Sequence, residues 1–203
     1  MELFTLALLP ALAIAAEPRW IEMHSENFSV LSSAGERARR DTLKHFEQVR
    51  AFFIETMKDS LAATQPVRIV IFGSKKEYEQ YRPGESVVAY YRPGFDRDYI
   101  VMSHAGVEAF PVAVHEYFHL IVQHAKMTLP PWLEEGLAEL YSTLRPIGGK
   151  ITVGTTIPTR HQALLQDPWV PLAQIVAADR NSAFYNDKNK MSSLYNQGWL
   201  WPT

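Results

Sequence analysis

The sequence predicts an α+β fold, a small mixed sheet lying over a helix that is buried on all sides. Three observations carry this. Strand-like runs rich in β-branched and aromatic residues cluster before Ser103 and are interrupted by one long amphipathic helix. Two consecutive helices, each opened by proline, follow from Pro111. The first of these two is apolar in nearly every direction, a pattern that belongs to an interior rather than a surface. At 203 residues, 47% hydrophobic and 21% charged, the chain suits one globular domain able to bury a core.

The elements follow in order. Trp20 to Ser32, with alternating Phe28 and Val30, reads as a strand or a strand pair. Glu36 to Lys58 is a long amphipathic helix, because Leu43, Phe46, Val49, Phe53 and Met57 recur at three- and four-residue steps. Val67 to Phe72 is a β-branched run expected to be a buried strand. Gly73 ends it, and Ser74 with Glu77 forms a capping box opening a short helix, Lys75 to Tyr81. Two Arg-Pro-Gly tripeptides at 82–84 and 92–94 bracket Val87 to Tyr91, and Tyr99 to Met102 comes next. This is a hairpin or meander with a turn at each Pro-Gly, and Tyr99 to Met102 is expected to be the edge strand lining a cleft. Helices are then expected over Pro111 to Lys126 and Pro131 to Leu144. A second hairpin follows around Gly148-Gly149 and Lys150 to Thr156, then helices over Pro171 to Ala178 and Met191 to Leu200.

The net charge of −2 and the lack of a long basic run argue against bulk nucleic-acid binding. With no cysteine, disulfides and thiolate metal sites are excluded. Residues 1–16 read as an export signal: Leu6 to Ala16 is apolar but too short to span a bilayer, and Ala13-Ile14-Ala15 supplies a small-x-small cleavage site. The n-region departs from the pattern, carrying Glu2 and no Lys or Arg. No later stretch is apolar enough for a membrane helix, so an exported location, periplasmic or extracellular, is expected for the domain from residue 17 to 203. Because the chain stops at Trp201-Pro202-Thr203 within an apolar helical pattern, that domain reads as truncated at its C-terminus.

The chemistry concentrates in Val114-His115-Glu116-Tyr117-Phe118-His119-Leu120. Residues i and i+4 share a helix face, so His115 and His119 stack one turn apart beside Glu116. An unpaired buried carboxylate costs several kcal/mol, and two imidazoles gripping a divalent cation would remove that cost. His-Glu-x-x-His on a helix is the arrangement in which both histidines bind Zn²⁺ and the Glu acts on a water. A carboxylate pair, Glu134 and Glu135, falls in the first turns of the next helix, where the helix dipole favours negative charge. On that helix Trp132, Leu133, Leu137, Leu140 and Leu144 form a bulky face. Glu135, Ala138, Glu139 and Ser142 form a small, polar one that would allow close approach to the histidine helix, and Gly136 would serve the same end. Glu134 falls between the faces, so its loss is expected to leave metal binding nearly unchanged.

Together, VAVHEYFHLIV and LPPWLEEGLAELYS resemble the gluzincin branch of zinc metallopeptidases, in particular the peptidase MA-like families of exported bacterial proteins. The resemblance covers about Val112 to Ser142. It implies a zincin-like fold and one zinc per chain held by His115, His119 and Glu135, the Glu before Gly in W-L-x-E-G-x-A. It also implies Glu116 as general base in hydrolysis of a peptide or protein substrate. The spacer from Leu120 to Glu134 is shorter than in the better-known aminopeptidases. Ser193 to Trp199 resembles the Y-x-Q-(S/A/G)-W helix of these families, which makes Tyr195 a candidate oxyanion stabiliser, with Tyr185 another. Two other readings stand beside this: a degenerate, non-catalytic zinc module that binds peptides or a partner protein, and a metal-free structural domain. Glu139 is open between orienting one histidine and being solvated. His24, His45, His104 and His161 lack ligand spacing and are expected at the surface, as is His124 at a helix end.

Overall fold

A computed structural model of the protein describes residues 18–57, 65–104, 106, 109–182, 185 and 187–200, with backbone only for 188–191. The expected export signal and the C-terminal Trp-Pro-Thr lie outside them. The elements are β1 (Ile21–His24), β2 (Phe28–Ser32), α1 (Glu36–Met57), β3 (Val67–Ile71), α2 (Lys75–Tyr78), β4 (Ala89–Arg92) and β5 (Asp98–Met102), then α3 (Ala109–His124), α4 (Pro131–Ser142), β6 (Arg145–Ile147), β7 (Lys150–Thr152), α5 (Pro158–Gln166), α6 (Leu172–Val176) and α7 (Lys188–Leu200). The fold is mixed α and β with a small mixed sheet, ordered β1-β2-β3-β5-β4. Its outer pairs are antiparallel, and the inner β2–β3 and β3–β5 pairs are parallel. No described helix is long and apolar enough to cross a membrane.

Register explains the core. Val30 pairs with Ile69 and Ile69 with Ile100, so one row of β-branched side chains faces α1 and α3. All three are fully buried, as are Phe46, Phe53 and Phe118 from the helices above. Each such side chain contributes ~1.5–3 kcal/mol through loss of apolar surface from water. The opposite face carries a smaller cluster, Phe72, Tyr78 and Val101 under α2. Ser74 does cap α2, accepting from Glu77 N at 3.2 Å, but the Glu77 carboxylate takes Gly73 N instead of closing the box on Ser74.

Two expectations change here. The sheet edge is β4, not Tyr99 to Met102: β5 is paired on both sides. Four of its five residues are buried, whereas β4 has one buried residue and an exposed Arg92. A doubly apolar strand belongs inside a sheet. The second difference is α5, a helix absent from the sequence expectation. It has no buried residue, so no apolar stripe announces it; Pro158 in its first turn is the one local signal.

Candidate metal centre

Helix α3 is as buried as its composition requires, Gln123 alone among its residues being exposed. Tyr117 anchors one side of it, its ring 5.7 Å from Phe28 and 5.8 Å from Phe46. That orientation turns His115, Glu116 and His119 toward α4 and β4. The chain reverses after α3 through Lys126, which has a φ of 51°, while Met127 N bonds Val122 O at 3.0 Å. This is the helix-ending pattern in which one residue adopts a left-handed conformation. Pro131, in the first turn of α4, then starts the return helix without losing a hydrogen bond.

On α4 the small, polar face is the buried one: Pro131, Glu134, Glu135, Gly136, Ala138, Glu139 and Ser142. It is wider than expected, because Glu134 belongs to it. Gly136 does not face α3. A Cβ there would stand 2.2 Å from Gly198 O, so Gly136 lets α7 lie against α4 backbone to backbone. Tyr141 of α4 does reach α3, its ring 5.1 Å from Phe118.

Three atoms converge between α3 and α4. His115 Nε2 and His119 Nε2 are 3.2 Å apart, and Glu135 Oε2 lies 3.3 Å from the first and 3.5 Å from the second. A tetrahedral ion with bonds of ~2.0–2.1 Å requires ligand–ligand edges of ~3.3–3.4 Å. Glu135 Oε2 is buried and makes no aligned hydrogen bond, so its charge is offset by the two imidazoles or by a cation held with them. His115, His119 and Glu135 therefore form a buried group that could hold a metal ion.

The remaining ring nitrogens are also engaged. His119 Nδ1 lies 2.9 Å from Glu134 Oε1, and His115 Nδ1 lies 3.4 Å from Glu139 Oε1. A carboxylate accepts only, so Nδ1 of each ring carries a proton, and once the ring is neutral, as metal binding requires, Nε2 has its lone pair toward the shared point. Both carboxylates are backed by arginine. Arg160, from α5, donates to both Glu139 oxygens at 2.8 and 2.9 Å, and Arg180 pairs with Glu134. Glu139 is thus an orienting partner and not a solvated residue. Glu134, which helix phase alone places between the two faces, has the same role.

Electrostatics follow from this packing. Burial opposes charge on His115, but Glu135 and Glu139 outweigh it and hold the imidazole up at about 9. For His119, burial is likewise outweighed by Glu134 and Glu135, giving about 10. Glu135 is disfavoured by burial yet held down at about 2 by the two imidazoles. Burial pushes the Glu116 carboxyl up, an effect only partly offset by His115 and by Tyr91 N, which donates to Oε2 at 2.9 Å. Tyr91 belongs to β4, so Glu116 ties the buried helix to the sheet edge.

Two clefts meet at Glu116. The larger, about 1030 Å³, runs past His115, Glu139 and Tyr195, and the smaller, about 430 Å³, past His119, Glu135 and Arg180. Tyr195 lies beside the centre, its ring 6.1 Å from that of His115 and its face 5.2 Å beneath the Arg160 guanidinium. Burial and then the Glu135 charge raise its phenol, and the same two causes raise that of Tyr185. The chain matches no protein-family model, and no curated protein matches it.

The other histidines divide. His24 and His161 are exposed as expected. His45 is not: its ring stacks on Phe110 at 4.5 Å and 11°, since it flanks the buried stripe of α1. Nor is His124 an exposed helix end. It pairs with Asp98, a buried residue at the start of β5, whose other oxygen accepts from Tyr91 Oη at 3.2 Å. His104 is half-buried and lies 2.8 Å from Ser103 Oγ.

Proposed function

We propose that this chain is a zinc-dependent peptidase of the gluzincin type, zincin-like in fold and acting outside the cytoplasm. The observation that carries this is the set of three ligand atoms at 3.2–3.5 Å spacing, with both Nδ1 atoms held by carboxylates. His115, His119 and Glu135 would hold the ion. Zinc held there supplies Lewis acidity and lowers the pKa of a coordinated water to roughly 7. The chain's own residues do the rest. Glu116, its carboxyl raised by burial, removes the proton of the attacking water through the oxygen not engaged by Tyr91 N. It then delivers that proton to the leaving amine. The Tyr195 phenol donates to the carbonyl oxygen as negative charge develops on it. The free edge of β4, beside Glu116, offers main-chain groups to which an extended peptide adds as a further strand.

The test is metal analysis of the purified protein with a paired activity assay. One zinc per chain is expected, and Glu116→Gln is expected to keep the zinc and the fold while abolishing hydrolysis of an unfolded protein substrate. Protein that takes up no stoichiometric metal after reconstitution overturns the reading. One observation favours a second reading, a metal-binding module that captures peptides without cleaving them: Glu116 already serves as a tie to Tyr91 N. That reading prevails if wild type and Glu116→Gln bind peptides equally and neither turns them over.

A further inference from the structure

The larger cleft is also lined by Arg145 and by the segment Thr155 to Arg160. The two arginines of this cleft differ. Arg160 is committed, with both Glu139 oxygens and Asn196 Oδ1 as acceptors. Arg145 has no carboxylate partner among the described residues. Its Nη1 donates to Ser142 O at 3.1 Å and Leu144 O at 2.9 Å, carbonyls at the exit of α4. Those two bonds fix the guanidinium in place and leave Nε and Nη2 unspent by them. A guanidinium offers five donors in a rigid fork that matches a carboxylate. Its charge is felt in the surroundings: after burial, it is what disfavours protonation of His45.

The same stretch of wall carries hydroxyls in Thr155, Thr156 and Thr159, all exposed and lining the cleft. Glu116 and Glu139 are the carboxylates of this cleft, and both lie by the metal centre, where Glu139 is neutralised by Arg160 and His115. The cleft thus sets a guanidinium that no described carboxylate balances beside a carboxylate already neutralised.

We infer that Arg145 is a specificity-determining residue that selects substrates presenting a carboxylate to its stretch of the larger cleft's wall. This rests on the peptidase reading for its substrate class. The carboxylate is either an Asp or Glu side chain or the C-terminus of the peptide itself, and the two arrive by the same chemistry.

Fluorescent peptides titrated against the zinc-loaded Glu116→Gln protein test this without turnover. One pair differs as Glu against Gln at an internal position scanned along the peptide; the other differs as C-terminal acid against amide. The carboxylate member of one pair is expected to bind about tenfold tighter, ~1.4 kcal/mol, and the advantage to shrink in raised salt. Arg145→Gln should erase it. Arg145→Lys, which keeps the charge but not the fork, should keep part of it, and guards against a Gln variant that folds poorly. The pair that responds identifies the source. Equal binding of both members in both pairs, or an advantage that survives in a folded Arg145→Gln protein, overturns the inference. Charge-dependent binding with no hydrolysis by the wild type would instead leave Arg145 in place and remove the peptidase reading.

Discussion

Glu134 Oε1 stands 2.9 Å from His119 Nδ1, and the same carboxylate pairs with Arg180. The ring of His119 is thereby held in one orientation, with its Nδ1 proton on the carboxylate side. Glu134→Ala is accordingly expected to weaken metal affinity by ~10–100-fold, the usual effect of losing a group that orients a histidine ligand. Glu139→Ala should do the same through His115, and Glu135→Ala should cost at least as much. Glu134→Gln, which retains an acceptor for Nδ1–H, should recover part of the loss. Chelator competition titrations on the four variants check this. An unaffected Glu134→Ala protein would show that packing alone suffices to place the ring.

The metal-free centre is a cluster of ion pairs, and its pH window follows from the shifts. His115 and His119 rise from 6.5 to about 9 and about 10, so their contribution is complete below pH 6.5 and lost as pH climbs through those values. Glu135 falls from 4.5 to about 2, so its contribution is present above 4.5 and lost toward 2. The metal-free protein should therefore lose stability between about pH 7 and 10, which thermal unfolding across that range would reveal. Metal needs neutral imidazoles, so uptake at pH 7 should release roughly one to two protons per ion. Calorimetry in buffers of differing ionisation enthalpy counts them, and a release near zero would contradict the charged state.

Gly136→Ala places a methyl 2.2 Å from Gly198 O, a backbone atom that cannot rotate away. The two helices must separate or shift, at a cost of ~1–3 kcal/mol as for other overpacked contacts. The substitution also moves the neighbour Glu135. Denaturant unfolding and metal titration should change together in this variant; a stable protein with weakened metal binding would mean that α4 shifts without penalty.

His45 makes a different prediction. Burial, then the charge of Arg145, lowers its pKa from 6.5 to about 4, so the fold favours the neutral ring. The unfolded chain binds the additional proton between those values, and stability must fall as pH drops from 6.5 toward 4. The whole effect is at most about 3 kcal/mol. His45→Phe, which retains the stack on Phe110, should flatten that part of the stability–pH curve, measurable by urea unfolding at several pH values. An unchanged slope would assign the acid sensitivity to other groups.

The local parts of this architecture are legible in sequence because they follow from period and turn chemistry. The His115–His119 spacing, the all-round burial of α3, the Gly148-Gly149 hairpin and the long α1 are of this kind. What escaped is long-range. Arg160 and Arg180 reach Glu139 and Glu134 from segments with no pattern linking them to α4. The Asp98–His124 pair joins a strand to a helix end in the same way. The role of Glu134 could not be read from helix phase, since α4 is covered on two sides, by α3 and by α7, and its buried arc exceeds what one neighbour would require. The edge strand differs from the expectation because β5 is apolar on both faces and lies inside the sheet, while the half-exposed β4 takes the edge.

The contact between Gly136 and Gly198 also bears on the order in which the centre can be completed. Chain synthesis delivers His115, His119 and Glu135 well before Gly198, yet the helix bearing Glu135 has one flank covered only once α7 has docked. Glu134 and Glu139 likewise face histidines of the preceding α3 but take their arginines, Arg180 and Arg160, from segments made later. A nascent chain therefore holds every candidate ligand before it holds the segments that wall the centre.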